Sequence, residues 1–252
     1  MNLLMSSEQL IYGLHAVAAL LNNPHRTVKH IFVNQERQDK RMLDVLATIT
    51  QHSIPLFPLS AAKMALKFPE EVHQGIVAVA HPLPQYHEQD LLAFIEKKTT
   101  PPFLLILDGV TDPHNLGACL RTADAAGVDC VIIPKDKSAT ITPVVSKVAC
   151  GAAESIPVIR VTNLARTIES IKQQGIWVYG TAGEAETSLY ALDAKIPLAL
   201  VLGAEGEGLR RLTRERCDGL FSIPMLGNVS SLNVSVAAGV CLFEVVRQRN
   251  LG

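Results

Sequence analysis

Between residues 103 and 223 six short runs of continuously apolar residues (103–107, 131–133, 157–161, 176–179, 198–202 and 220–223) alternate with segments patterned as amphipathic helices. A strand that is apolar on both faces has to be covered on both faces. Helices placed between such strands return the chain for a parallel pairing. The pattern therefore predicts an α/β region on a mostly parallel sheet with helices on both faces. In such sheets ligands collect beyond the carboxyl ends of the strands, so the loops after these runs are where chemistry is to be sought.

Upstream, residues 15–21, 40–52 and 61–68 read as helices, and residues 28–33, 54–57 and 75–80 as strands, which makes a small α/β domain over residues 1–80. Pro82, Pro84, Pro101 and Pro102 bracket a polar stretch with one weak helix at 90–97, so residues 81–100 are expected to be a linker and 101–252 a second domain. The chain has 252 residues, 48% of them hydrophobic, ample for two cores. It contains no run of 18 apolar residues, and the short apolar segment 10–21 lacks preceding basic residues, so it reads as a helix start. Cys119, Cys130, Cys150, Cys217 and Cys241 have no paired spacing and are expected to be core thiols in a reducing cytoplasm. The eight histidines form no ligand cluster, and no metal is expected.

A net charge of −1 weighs mildly against nucleic acid. The distribution softens this, because Arg26, Lys29, Arg37, Lys40 and Arg41 crowd one stretch against Glu36 and Asp39, and residues 207–216 hold four Arg against two Glu. Taken singly, each patch reads as a solvated face.

Three loops carry more than turn chemistry. After the first strand of the sheet, Asp112-Pro113-His114-Asn115-Leu116-Gly117 leads into a helix where Arg121 has apolar neighbours Leu120 and Ala123, so a partly buried guanidinium there needs an anionic or carbonyl partner. After the fifth, Leu202-Gly203-Ala204-Glu205-Gly206 combines glycines with carboxylates. That order fits neither the dinucleotide fingerprint nor the triphosphate loop, and its charge suits a cationic or hydroxyl-bearing ligand. After the sixth, Ile223-Pro224-Met225 and Ser231-Leu232-Asn233-Val234-Ser235 place polar side chains at the start of an apolar helix, whose residues Leu232, Val236, Val240, Phe243 and Val246 are expected to form its buried stripe. Capping explains one such polar residue, with Ser231 the candidate, but not three. Thr181, Ala182 and Gly183 after the fourth strand add small residues.

Together these motifs resemble the SpoU (TrmH-like) family of RNA ribose 2'-O-methyltransferases, and Tyr12-Gly13-Leu14-His15-Ala16-Val17 with His73-Gln74-Gly75-Ile76 resemble that family's substrate-binding domain. The resemblance implies a deep trefoil knot in the C-terminal domain, against the general rule for chain connections, a homodimer, and S-adenosylmethionine as methyl donor. It implies cofactor contacts from Gly203, Ile223 and Leu232 with Thr181, Ala182, Gly183 and Met225, and a ribose site of Asn115, Arg121, Glu205, Ser231 and Asn233. The implied activity is 2'-O-methylation of a guanosine in 23S rRNA, in the peptidyl-transferase region, on the rRNA or a large-subunit precursor. RNA contacts would come from Arg26, Lys29, Arg37, Lys40 and Arg41. A tRNA or another rRNA site as substrate, or a non-catalytic assembly role, are the competing readings; the retained polar residues of the three loops count against the last.

Overall fold

In a computed structural model of the chain, residues 8–24, 26–69, 72–204, 206 and 208–250 are described. They fall into two compact units, Met1–Pro84 with Ile141–Ser155, and Gln85–Thr140 with Ile156–Gly252.

The smaller unit begins β1 (Gln9–Tyr12), α1 (Leu14–Asn22), β2 (Val28–Asn34), α2 (Lys40–Gln51), β3 (Leu56–Leu59), α3 (Ala61–Lys67), β4 (Ile76–Ala80). Its sheet has the order β1-β4-β2-β3, with β4 antiparallel to β1 and β2, and β3 parallel to β2. Residues α1 and α2 bury, such as Val17, Leu20, Met42 and Ile49, pack with Ile11, Ile31, Val33 and Ala78. On the opposite face Met64 and Phe68 meet Val77, Tyr12 and Phe32. Leu10 to Tyr12, expected to start a helix, form an edge strand instead. The left-handed Gly13 (φ 88°) turns the chain before α1. Gly13 N donates to the Ile76 carbonyl at 3.2 Å and Leu14 N to Gln74 Oε1 at 3.2 Å, so the 12–17 and 73–76 motifs are one structural seam.

The larger unit continues with β5 (Tyr86–His87), α4 (Glu88–Glu96), β6 (Phe103–Asp108), α5 (Pro113–Ala125) and β7 (Cys130–Pro134). The expected linker is therefore largely built into this unit: Leu91 and Ile95 enter its core, with Tyr86 edge-on to Phe94 at 5.1 Å. Next, α6 (Pro143–Val148) and α7 (Ala152–Ser155) pack in the smaller unit, against β1 and α1. A Cβ on Gly151 (φ 100°) would lie 2.6 Å from Ala19 Cβ and 3.2 Å from the His15 carbonyl, so only glycine permits this turn to approach α1. Local periodicity carries no sign of such a long-range exchange.

The chain returns as β8 (Val158–Val161), α8 (Leu164–Gln173), β9 (Trp177–Thr181), a 3₁₀ turn (Leu189–Ala191), β10 (Leu198–Gly203), α9 (Arg211–Arg216), β11 (Gly219–Phe221) and α10 (Val234–Asn250). The seven strands, in the order β11-β9-β10-β6-β7-β8-β5, are all parallel. One face packs on α4 and α8 through Leu104, Ile106, Ile132, Val201, Leu164, Ile168 and Ile171. Helix α10 lies against α5 and β10, but with a buried face different from the expected one. It buries Val234, Ala238, Cys241, Leu242 and Val245, while Val236 and Phe243 are 52% and 48% exposed. The helix is apolar nearly all round, so periodicity cannot choose its face; packing against α5 and β10 buries the Ala238 side.

Cys119, Cys130 and Cys241 are core thiols, each pushed up to about 12 by burial, but Cys217 is half-buried and Cys150 exposed, contrary to expectation. Among the described residues no helix is long and apolar enough to cross a membrane, and no cluster of His, Cys, Asp or Glu suits a metal ion.

Candidate active site

Strands β11, β9, β10 and β6 are consecutive neighbours. Being parallel and only about 4.8 Å apart, they deliver their following loops side by side at one end of the sheet. All three motif loops, and residues 181–183, emerge there.

After β6, Asp108 is fully buried. Its Oδ2 accepts from Arg210 N at 2.9 Å, and Arg210 Nε lies 3.5 Å from Oδ1, so the carboxylate clamps the start of α9 to the end of β6. Asp112 caps α5 by accepting from His114 N at 3.0 Å, and Pro113 fills the first helical position where no N–H is needed. Capping therefore does not engage Asn115. Its Oδ1 accepts from Asn233 Nδ2 at 3.0 Å, across 118 residues of sequence. Asn233 Oδ1 accepts in turn from Ser235 N at 2.9 Å and Ser235 Oγ at 2.6 Å. The cap of α10 is thus Asn233, whereas the expected candidate Ser231 stands exposed in the loop before it. Arg121 departs from expectation more sharply. It is exposed, with no ion pair or hydrogen bond among the described residues, because α5 turns Leu116, Cys119, Leu120 and Ala123 to the core and this position outward.

After β10 the chain doubles back at once. A Cβ on Gly203 would lie 2.1 Å from the Gly208 carbonyl carbon and 2.5 Å from Leu209 N, and both are backbone. Gly208 N closes the turn on the Ala204 carbonyl at 2.9 Å, with Gly206 (φ 82°) and Gly208 (φ 67°) left-handed. Glu205, expected to face the ribose, lies outside the described residues.

After β9, Thr181 Oγ1 donates to the Val201 carbonyl at 3.3 Å and Ala182 N to the Phe221 carbonyl at 2.9 Å, tying this loop to both neighbouring strands. Gly183 is exposed. The carboxyl of the adjacent Glu184 is held below the usual range by its own backbone amide and by Arg214. After β11, Ile223, Met225 and Leu232 are partly exposed and Leu226 fully so. Among the described residues, no backbone amide or carbonyl from Ile223 to Leu232 is engaged in a hydrogen bond. This segment is a row of available donors and acceptors beside three strand ends.

The expected RNA-contacting cations divide. Arg26 is withdrawn from solvent: its Nε lies 3.0 Å from Glu154 Oε2, with side-chain exposures of 0% and 2%, and Nη1 and Nη2 each donate to Gln9 Oε1 at 3.2 Å. Burial pushes the Arg26 guanidinium down and the Glu154 carboxyl up, each against its partner's attraction. Lys29 pairs with Glu8 at 2.7 Å and Arg37 with Asp39, whereas Lys40 and Arg41 are exposed at the start of α2. The second basic patch is laced with ion pairs, Arg211 to Glu215 and Arg216 to Glu169 at 2.7 Å and Arg214 to Glu184. Sequence reasoning missed the clamp of Asp108; its one signal was an acid ending an apolar run.

Residues 102–243 match the SpoU rRNA Methylase family, and residues 10–86 match the RNA 2'-O ribose methyltransferase substrate-binding family. The 23S rRNA (guanosine-2'-O-)-methyltransferase RlmB of Pseudomonas putida is 56% identical over 247 residues, covering 98% of this chain and 99% of that protein. Its namesake in Escherichia coli is 55% identical over 242 residues, covering 96% and 99%. Among solved structures, the SpoU methyltransferase AviRb from Streptomyces viridochromogenes in complex with AdoMet superposes with a TM-score of 0.80 at 25% identity, covering 98% of this chain and 92% of that one.

Proposed function

The chain belongs to the SpoU rRNA methylase family, and on that premise we propose that it transfers a methyl group from S-adenosylmethionine to the ribose 2'-oxygen of a guanosine in 23S rRNA, in the peptidyl-transferase region. The observation that carries the reading is the Asn233 to Asn115 hydrogen bond, which draws the first and third motifs together beside the glycine turn at the end of β10. The residues fit the methyl donor. Unengaged backbone groups from Ile223 to Leu232 and the small side chains of Thr181, Ala182 and Gly183 offer hydrogen bonds and room for an adenosine and an amino-acid moiety, and need no metal. Gly203, Ile223, Met225 and Leu232 would hold it. When bound, S-adenosylmethionine supplies an electrophilic methyl group on a sulfonium.

The chain's own task is alignment and charge. Asn115, Ser231 and Asn233, with Glu205, would orient the ribose so that its 2'-oxygen approaches in line. A guanidinium stays protonated and only donates, so Arg121 stabilises the developing alkoxide or grips the neighbouring phosphate. Its exposure and lack of an ion pair among the described residues support this. Lys40 and Arg41 on the smaller unit are available to phosphates, in a compartment that holds ribosomal RNA, the cytoplasm. Two further features belong to the reading. Strand β11 lies beyond β9, while α10 returns to β10 and α5, a path that supports a trefoil knot. The exposed Val236 and Phe243 on α10 support a homodimer burying that stripe.

The test has two arms. Arg121→Lys should lose single-turnover methylation while binding S-adenosylmethionine normally, because lysine cannot reproduce the planar fork; near-normal methylation would remove Arg121 from the site. Ribose-methylation mapping of rRNA from a strain lacking the protein should show one missing guanosine mark, and an intact set would overturn the activity.

A further inference from the structure

The smaller unit holds Tyr12, Phe32, Phe57 and Phe68, its full set of Phe, Tyr and Trp residues, and all four lie on one face of its sheet. Register fixes that face: Phe57 pairs with Phe32, Phe32 with Val77, and His30 with Val79. The helix on this side, α3, has seven residues and is about 10 Å long, whereas four strands span about 14 Å across. It packs against β2, where Met64 and Phe68 cover Val77 and Tyr12 and meet Phe32, and leaves the half of the face at the β3 edge open.

In that open half Phe57 is 49% exposed on the edge strand. His30 stands edge-on to it at 5.4 Å and to Phe32 at 5.1 Å, and Phe32 and Phe57 are 5.7 Å apart. Lys67 Nζ lies over the Phe32 ring, 4.8 Å from its centre, beside the exposed Phe57 ring. A rigid aromatic surface with a cation beside it suits a flat, electron-rich base joined to a phosphate. An aliphatic protein surface would have no use for the cation.

We propose that the Phe57, His30 and Phe32 face is a platform on which an unpaired base of the RNA substrate stacks, with Lys67 contacting its phosphate. This rests on the reading that the chain acts on rRNA. Single-stranded RNA exposes base faces that a duplex hides, so the platform would select a loop or bulge over a continuous helix.

The test uses the full-length chain, in vitro transcribed 23S rRNA and radiolabelled S-adenosylmethionine. Phe57→Ala and Phe57→Leu should each weaken RNA binding, and raise KM for RNA, about tenfold, as loss of one base stack does, with kcat unchanged. Phe57→Tyr, which keeps the ring, should behave as the parent. Phe57→Leu retains apolar bulk, so parental RNA affinity in that variant would overturn stacking in favour of an aliphatic contact. Parental affinity in Phe57→Ala would remove the surface from RNA altogether. Circular dichroism of the half-exposed variants checks folding. If the parent chain binds the rRNA but leaves it unmethylated, the functional reading fails while the platform is still judged by the binding series.

Discussion

Arg249, near the end of α10, lies among backbone carbonyls, and its removal offers the sharpest test of what holds the larger unit closed. Nε donates to the Ala194 carbonyl at 2.9 Å, Nη1 to Pro101 at 3.0 Å, and Nη2 to Ile196 at 2.9 Å and Pro102 at 3.3 Å, with the guanidinium 5.0 Å from the Phe103 ring centre. One side chain thus ties the last turn of α10 to the start of β6 and to the segment entering β10. Burial pushes its pKa down, opposed by the nearby Asp129 charge. Hydrogen bonds to charged groups contribute roughly 1.5–3 kcal/mol each, so four would sum to about 6–12. The Pro101 bond is exposed and the Pro102 bond is long at 3.3 Å, so water replaces both readily; the Ala194 and Ile196 bonds, at the lower end of that range, leave a net cost for Arg249→Ala of about 3 kcal/mol. With a urea slope of about 2–3 kcal/mol per molar, the midpoint should fall by about 1 M. Trp177, the single tryptophan, lies in the larger unit and reports its unfolding by fluorescence. Arg249→Lys should lose about half as much, since an ammonium cannot fork to separate carbonyls. A midpoint for Arg249→Ala within about 0.2 M of the parent would refute this account.

Gly203→Ala should abolish S-adenosylmethionine binding in calorimetry while leaving most secondary structure, because the new methyl overlaps backbone at 208–209 and must displace the glycine turn; retained affinity would mean the turn is not part of the cofactor site. Arg26→Ala should destabilise the smaller unit by about 3–5 kcal/mol by stranding the buried Glu154, measurable by urea titration with circular dichroism; folding as stable as the parent would refute it. Burial raises the Glu88 carboxyl, but donors on Thr162 and Asn163 and the Arg166 charge outweigh it and hold it below its ordinary 4.5. The sign follows: its contribution is present above about 4.5 and is lost as pH falls through the lower folded value. The parent should therefore lose stability relative to Glu88→Gln only in that acid window, and parallel pH profiles would refute the link.

Short apolar runs separated by amphipathic segments point to a parallel sheet, since helices between such strands both cover its faces and return the chain for parallel pairing. From 103 to 223 each expected strand is present, its ends within about two residues, the ordinary scatter of such boundaries. The motif loops were likewise legible as polar and glycine-rich interruptions, because a loop that carries chemistry spends its residues on something other than packing. What sequence could not decide were the choices made by distant neighbours. Helix α10 offers apolar residues nearly all round, and only its packing against α5 and β10 selects the Ala238 face and leaves Val236 and Phe243 outside. Arg26 and Lys40 look alike in a basic stretch; Glu154, 128 positions away, withdraws one and leaves the other in water. Residues 141–155 carry no local mark of leaving the larger unit, yet they pack on α1 at a position, Gly151, where only a glycine can approach it. Periodicity is a property of neighbours along the chain. Burial and pairing are properties of neighbours in space, and at these positions the tertiary structure alone decided.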